Sequence, residues 1–133
     1  MMSKDERNIT VIKSIIDYCD KIEEIKNRFG ASYDIFKRDF VYQSSTEMCL
    51  FQIGELTNRL TDDFKAKCKH IEWRNIKDLR NIFAHTYEKV DITEVWKTLI
   101  NDVPVLFVDC MKIIHEYEPE YELEDELEED EYE

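Results

Sequence analysis

From Ile9 to Phe29 the apolar residues Ile9, Ile12, Ile15, Ile16, Cys19, Ile22, Ile25 and Phe29 return at steps of three and four. That is the period of one face of an α-helix. Ser3 with Glu6 three residues on has the form of a capping box, and Gly30 stands where such a helix stops. The stretch from Ser32 to Asp39 reads as a connector with room for one short turn. A second series, Phe40, Val41, Met48, Phe51, Ile53, Leu56 and Leu60, predicts a long helix ending near Thr61, with Gly54 inside it where two backbones approach closely. Thr61 is placed to cap a short helix over 62–68. A third core helix is expected over 72–84, carrying Trp73, Ile76, Leu79, Ile82 and Phe83. Asp91 and Glu94 form another capping box, and Ile92, Val95, Leu99, Val103, Leu106, Cys110 and Ile113 follow as the strongest periodic signal in the chain. Pro104 falls inside this fourth long helix. It removes one backbone hydrogen bond and predicts a bend, unless the helix is split there.

Only two glycines and two prolines punctuate 133 residues, far too few for a set of strands and hairpins. Helices joined by short connections make antiparallel neighbours, so the expected fold is all-α, an up-and-down bundle of four long helices plus short ones over residues 1–115. From Glu116 onward the chain reads EYEPEYELEDELEEDEYE, with 12 acidic residues and no basic one. Like charges this dense cannot gather enough apolar surface to offset the entropy of ordering, so 116–133 is expected to be a disordered acidic tail.

That division changes the meaning of the net charge of −13. Taking those 12 from the 31 acidic residues leaves 19 against 18 basic ones, so the bundle itself is close to neutral at −1. Within it, Lys65, Lys67, Lys69, Arg74, Lys77 and Arg80 outnumber Glu72 and Asp78 between Phe64 and Arg80, a local excess of +4. An electrostatic footprint for RNA or a nucleotide phosphate would lie there, although an ordinary solvated face reads the same way. The four cysteines, Cys19, Cys49, Cys68 and Cys110, are far apart with no C-x-x-C pair, the usage of buried, reduced thiols. Cys68 and His70 lack the second ligand pair a metal would need, and no metal or cofactor is expected. The longest apolar run, VPVLFV, is six residues, so no membrane span is expected and the protein reads as cytoplasmic.

Candidate chemistry concentrates in residues 80–87, RNIFAHTY. Arg80, Asn81, His85 and Tyr87 crowd there beside Ile82 and Phe83. On one unbroken helix Arg80 and His85, five apart, would point about 140° away from each other. They could grip one phosphate only if the helix loosens near Ala84 or if a second copy of the chain completes the site. The residue types suit RNA cleavage through the 2'-hydroxyl. An imidazole takes and gives protons near neutral pH, and a guanidinium fork holds phosphoryl oxygens while staying charged. A structural reading uses the same residues: Arg80 pairing with Asp78 or Glu88, His85 satisfying carbonyls at a helix C-terminus, and Tyr87 as an anchor.

The run IGELTNRLTDDFKAKCKHIEWRNIKDLRNIFAHTYEKVDITEVWKTLINDVPVL resembles the HepT-like branch of the HEPN superfamily. Its R-x4-H-x-Y signature is matched by Arg80, His85 and Tyr87, flanked by Ile53–Glu55, Trp73, Asn81, Asp91 and Trp96. The resemblance implies an all-helical homodimer whose two motifs face each other as a metal-independent endoribonuclease, the toxin of a toxin-antitoxin pair. It implies Arg80 and His85 as the catalytic pair with Asn81 assisting. It also implies a minimal nucleotidyltransferase antitoxin of the MntA type that transfers AMP to Tyr87, with assembly beyond the dimer left open. Lys65, Lys67, Lys69, Arg74 and Lys77 would then hold RNA. The alternative is a non-catalytic, nucleotide-binding helical partner of a nucleotidyltransferase. The acidic tail departs from the family pattern, either as a solubilising extension or as a nucleic-acid mimic folding over residues 65–80.

Overall fold

The computed structural model describes residues 3–73, 76 and 91–123, and among them every regular element is helical. Helix α1 spans Lys4–Phe29 and starts as its sequence suggests, the Ser3 hydroxyl accepting from the Glu6 N–H at 3.1 Å. Ile12, Ile15, Ile16 and Ile22 are completely buried along its inner stripe. Burying each such side chain is worth roughly 1.5–3 kcal/mol, which makes this face the backbone of the core. The helix ends at Gly30, whose N–H donates to the Lys26 carbonyl at 2.7 Å and whose φ of 114° favours a residue without a side chain.

The connector holds one short helix, α2 (Tyr33–Arg38), and α3 (Phe40–Thr57) follows, its first N–H groups capped by the Asp39 carboxylate. Helix α3 stops at Thr57, four residues short of the expected end near Thr61. Leu60 is buried all the same, but from the turn after the helix, which is why it prolongs the apolar series. Gly54 is buried within α3. Helix α4 (Asp62–Lys67) is capped by the Thr61 hydroxyl, which accepts from the Phe64 N–H at 3.2 Å. Of the third core helix expected over 72–84, only Glu72, Trp73 and Ile76 are among the described residues, and Trp73 and Ile76 are half-buried against the core.

The last long helix is in three parts: α5 (Ile92–Lys97), a π-helical turn (Thr98–Asp102) and α6 (Val103–Tyr117). The π turn is the structure's answer to Pro104. The Val103 N–H reaches back five residues to the Thr98 carbonyl, and this wider turn gives the proline ring room where a regular helix would clash. Leu99, Val103, Leu106, Cys110, Ile113 and Ile114 all remain buried across it. Helices α3 and α6 both pack on α1, forming the bundle. All four cysteines are free thiols inside it.

Helix α6 continues to Tyr117, and residues 118–123, counted with the tail from composition, make specific contacts with the bundle. The Lys13 ammonium meets the Glu118 carboxylate at 2.6 Å and stands 5.2 Å above the Tyr121 ring. His115 Nε2 is 3.0 Å from the Tyr121 carbonyl, and Tyr121 and Leu123 are half-buried against the core. Residues 124–133 lie outside the described residues. Among those described, no helix is long and apolar enough to cross a membrane.

Candidate functional site

Arg80, Asn81, His85 and Tyr87 lie outside the described residues, as do Arg74 and Lys77. The structure does show what holds the chain on either side of them. On the approach, Asn8 of α1 is 2% exposed and grips Thr61 twice. Its carbonyl oxygen accepts from the Thr61 N–H and its amide donates to the Thr61 hydroxyl, both at 3.1 Å. That fixes α4, whose Phe64 is buried, and Ile71 is buried just before Trp73. Lys65 on α4 is half-buried, while Lys67 and Lys69 are exposed. Lys67 has a long ion pair with Asp5, at 3.9 Å.

On the far side, the Asp91 carboxylate accepts from the Thr93 and Glu94 N–H groups and opens α5. An aromatic cluster then ties α5 down. Phe36 stacks at a tilt against Trp96 with centroids 5.1 Å apart, and its edge meets Tyr42 at 4.9 Å. Tyr42 in turn stacks on Phe29 at 5.0 Å and donates its hydroxyl to the Gly30 carbonyl at 3.0 Å. The Tyr33 and Thr93 hydroxyls are also 3.0 Å apart. The described chain is thus held by two well-packed supports, one on α1 and α4 before residue 77, the other on α2, α3 and α5 after residue 90.

A cavity of about 400 Å³ lies between α3, residues 70–72 and 76, and the start of α6, its apolar lining made of Leu50, Ile53, Ile71, Ile76, Val103 and Leu106. His70, Glu72, Asp102 and Asp109 stand around it. Partial burial raises the Asp102 carboxyl above its ordinary value. Asp102 and Asp109 lie outside the RNIFAHTY motif and carry no motif of their own. Their spacing of seven, which returns two residues to one side of a helix, is the signal that could have paired them. Among the described residues no group of three or more His, Cys, Asp or Glu side chains is arranged to hold a metal ion, and Cys68 is a buried thiol whose pKa burial raises.

The family model described as Ribonuclease HepT-like matches residues 15–113, a span that contains the motif. Among similar curated proteins, the "Probable ribonuclease HepT" of Thermococcus cleftensis is 28% identical over 99 residues, covering 71% of this chain and 84% of its own. A "Putative RNase" of Caldanaerobacter subterraneus subsp. tengcongensis is 27% identical over 104 residues, covering 77% of this chain and 90% of its own. Another protein of that name, from Methanocaldococcus jannaschii, is 36% identical over 89 residues, covering 64% and 82%. No solved structure gives a significant match. The helical bundle and the long family match agree with each other, and the chain belongs to the HepT-like ribonuclease family.

Proposed function

We propose that this protein is a metal-independent endoribonuclease acting as the toxin of a toxin-antitoxin pair in the cytoplasm, with residues 80–87 as its active segment. The observation that carries the reading is the family match, which spans Arg80, Asn81, His85 and Tyr87 within residues 15–113. In the reaction, the His85 imidazole removes the proton from a ribose 2'-hydroxyl, and that oxygen attacks the adjacent phosphorus. The bond to the 5'-oxygen breaks, and an imidazolium returns a proton to it, leaving a 2',3'-cyclic phosphate. Arg80 stabilises the charge gathering on the phosphoryl oxygens, and Asn81 orients the phosphate. Acid-base help of this kind is worth roughly 10²–10⁴-fold, with preorganised charge adding a comparable factor.

On an unbroken helix Arg80 and His85 would point about 140° apart, and we read the site as composite, built across a homodimer. Exposed apolar side chains support a partner surface: Phe40 (77% exposed), Val41 and Met48 on α3, and Val105 and Val108 on α6. A nucleotidyltransferase partner silences the toxin by moving AMP from ATP onto the Tyr87 hydroxyl with release of pyrophosphate. The added phosphate then occupies the place of the RNA phosphate and repels it. Lys65, Lys67 and Lys69, with Arg74 and Lys77, hold the RNA strand by charge.

The test is cleavage of RNA in excess chelator by the unmodified protein, by Arg80→Ala and by His85→Ala, with helical content checked by circular dichroism. Each variant should lose at least ~10²-fold in rate while remaining folded, and the products of the parent should end in cyclic phosphate. A folded parent that cuts no RNA yet binds ATP would instead mark a nucleotide-binding partner without nuclease activity.

A further inference from the structure

The residues that begin the acidic segment are placed by something more specific than repulsion from the bundle. Tyr117 closes α6 with its ring 6.3 Å from that of Phe64 on α4. Glu118 and Tyr121 take Lys13 of α1 between them, one by charge and the other by the face of its ring. Tyr121 and Leu123 set apolar surface against the core. A segment serving only to add charge would need none of these contacts. The start of the acidic segment, at Glu116 and Tyr117, lies beside α4, the helix that carries Lys65 and Lys67 and leads to Lys69. The proximity shows in the Cys68 thiol, which burial pushes up and the nearby Glu116 carboxylate pushes further, against the pull of Lys67.

Resting on the ribonuclease reading above, we propose that the C-terminal acidic segment is an internal competitor for RNA: anchored through residues 117–123, it sets the carboxylates of 124–133 against the lysines of α4. Those ten residues carry eight acidic side chains and no basic one. Fully extended they reach about 33 Å, several turns of helix from Leu123. Lys65 and Lys69 have no ion-pair partner among the described residues, and Lys67 has only its distant Asp5. Pairs of this exposed kind are individually weak and screened by salt, but the tether keeps the carboxylates at a high effective concentration. The result is a competitor that RNA can displace and that fades as ionic strength rises.

Two measurements test this, one of them independent of nuclease activity. Zero-length carbodiimide cross-linking of the full chain, read by mass spectrometry, should join carboxylates of 124–133 to Lys65, Lys67 or Lys69 within one chain. The yield should fall as salt rises. Binding of a single-stranded RNA is then compared between the full chain and a chain ending at Leu123, both carrying His85→Ala. The shortened chain should bind ~10-fold more tightly at about 50 mM salt and less than ~2-fold more tightly at about 200 mM. Equal affinity at both salts, or cross-links from 124–133 that avoid all three lysines, would overturn the proposal. Cross-links to α4 in a protein whose two forms bind no RNA would overturn the competition, and would count against the ribonuclease reading separately.

Discussion

Replacing Asn8 by alanine tests whether the approach to the motif is held by the hydrogen bonds that link α1 to Thr61. The substitution removes both bonds, each 3.1 Å long, and leaves the half-buried Thr61 N–H without its acceptor. A bond of this kind is worth ~1 kcal/mol net, and the site is close enough to its edge for water to soften the penalty, so the loss should be ~2 kcal/mol. With an unfolding entropy of roughly 2.1 cal/mol/K per residue over a folded unit of about 115 residues, that corresponds to a fall of ~8 °C in Tm. Urea unfolding followed by far-ultraviolet circular dichroism measures it. A double-mutant cycle with Thr61→Ala refines the claim. That second change removes the hydroxyl but not the backbone N–H, so only the side-chain bond is shared and the coupling should be ~1 kcal/mol. A loss below ~0.5 kcal/mol for Asn8→Ala, or strictly additive effects in the cycle, would show that α4 is held by apolar packing alone.

At the other support, Gly30→Ala should cost ~1–3 kcal/mol, because its φ is 114° and an added Cβ would meet Ile35 Cδ1 at 3.0 Å; an unchanged urea midpoint would contradict this. Tyr42→Phe keeps the aromatic packing but leaves the Gly30 carbonyl without its hydroxyl donor, an expected loss of ~1 kcal/mol in the same assay. The thiols predict a response to alkali. Burial pushes Cys19 up to about 12, with Cys49 and Asp20 adding to the effect, and burial also raises Cys49, Cys68 and Cys110. The folded state therefore favours the neutral thiols, so their contribution is intact below the ordinary thiol pKa of 9.0 and declines as pH climbs above it. Urea midpoints should hold level up to about pH 8 and fall by about pH 10, and alkylation of native thiols should be slow until the chain unfolds.

Much of the bundle can be read in advance because apolar spacing and caps are local. Ile12, Ile15, Ile16 and Ile22 announce the buried face of α1, and Ser3, Thr61 and Asp91 sit where the structure uses them as caps. Leu60 misleads because a side chain can be buried from a turn as well as from a helix, so periodicity overran the end of α3. Asn8 gave no warning at all: its partner is 53 residues away, and a polar residue at the start of an amphipathic helix normally faces water. Counting carboxylates hid the anchoring role of Tyr121 and Leu123 for the same reason, since composition averages over the few side chains that find a surface. The motif residues were legible as chemistry and as family likeness. Their spacing left two arrangements open, a helix loosened near Ala84 or a site completed by a second copy.

The π turn at Thr98–Asp102 carries a consequence for how this helix tolerates change in length. Such a turn contains one residue more than the regular ladder requires, so shortening it by one, for instance by deleting Ile100, would keep both flanking halves in phase with the core. The proline would then press on the carbonyl four residues before it, and the shortened helix should tolerate the loss only when Pro104 is replaced as well. The surplus residue and the imino acid are in that sense a matched pair, each making the other permissible.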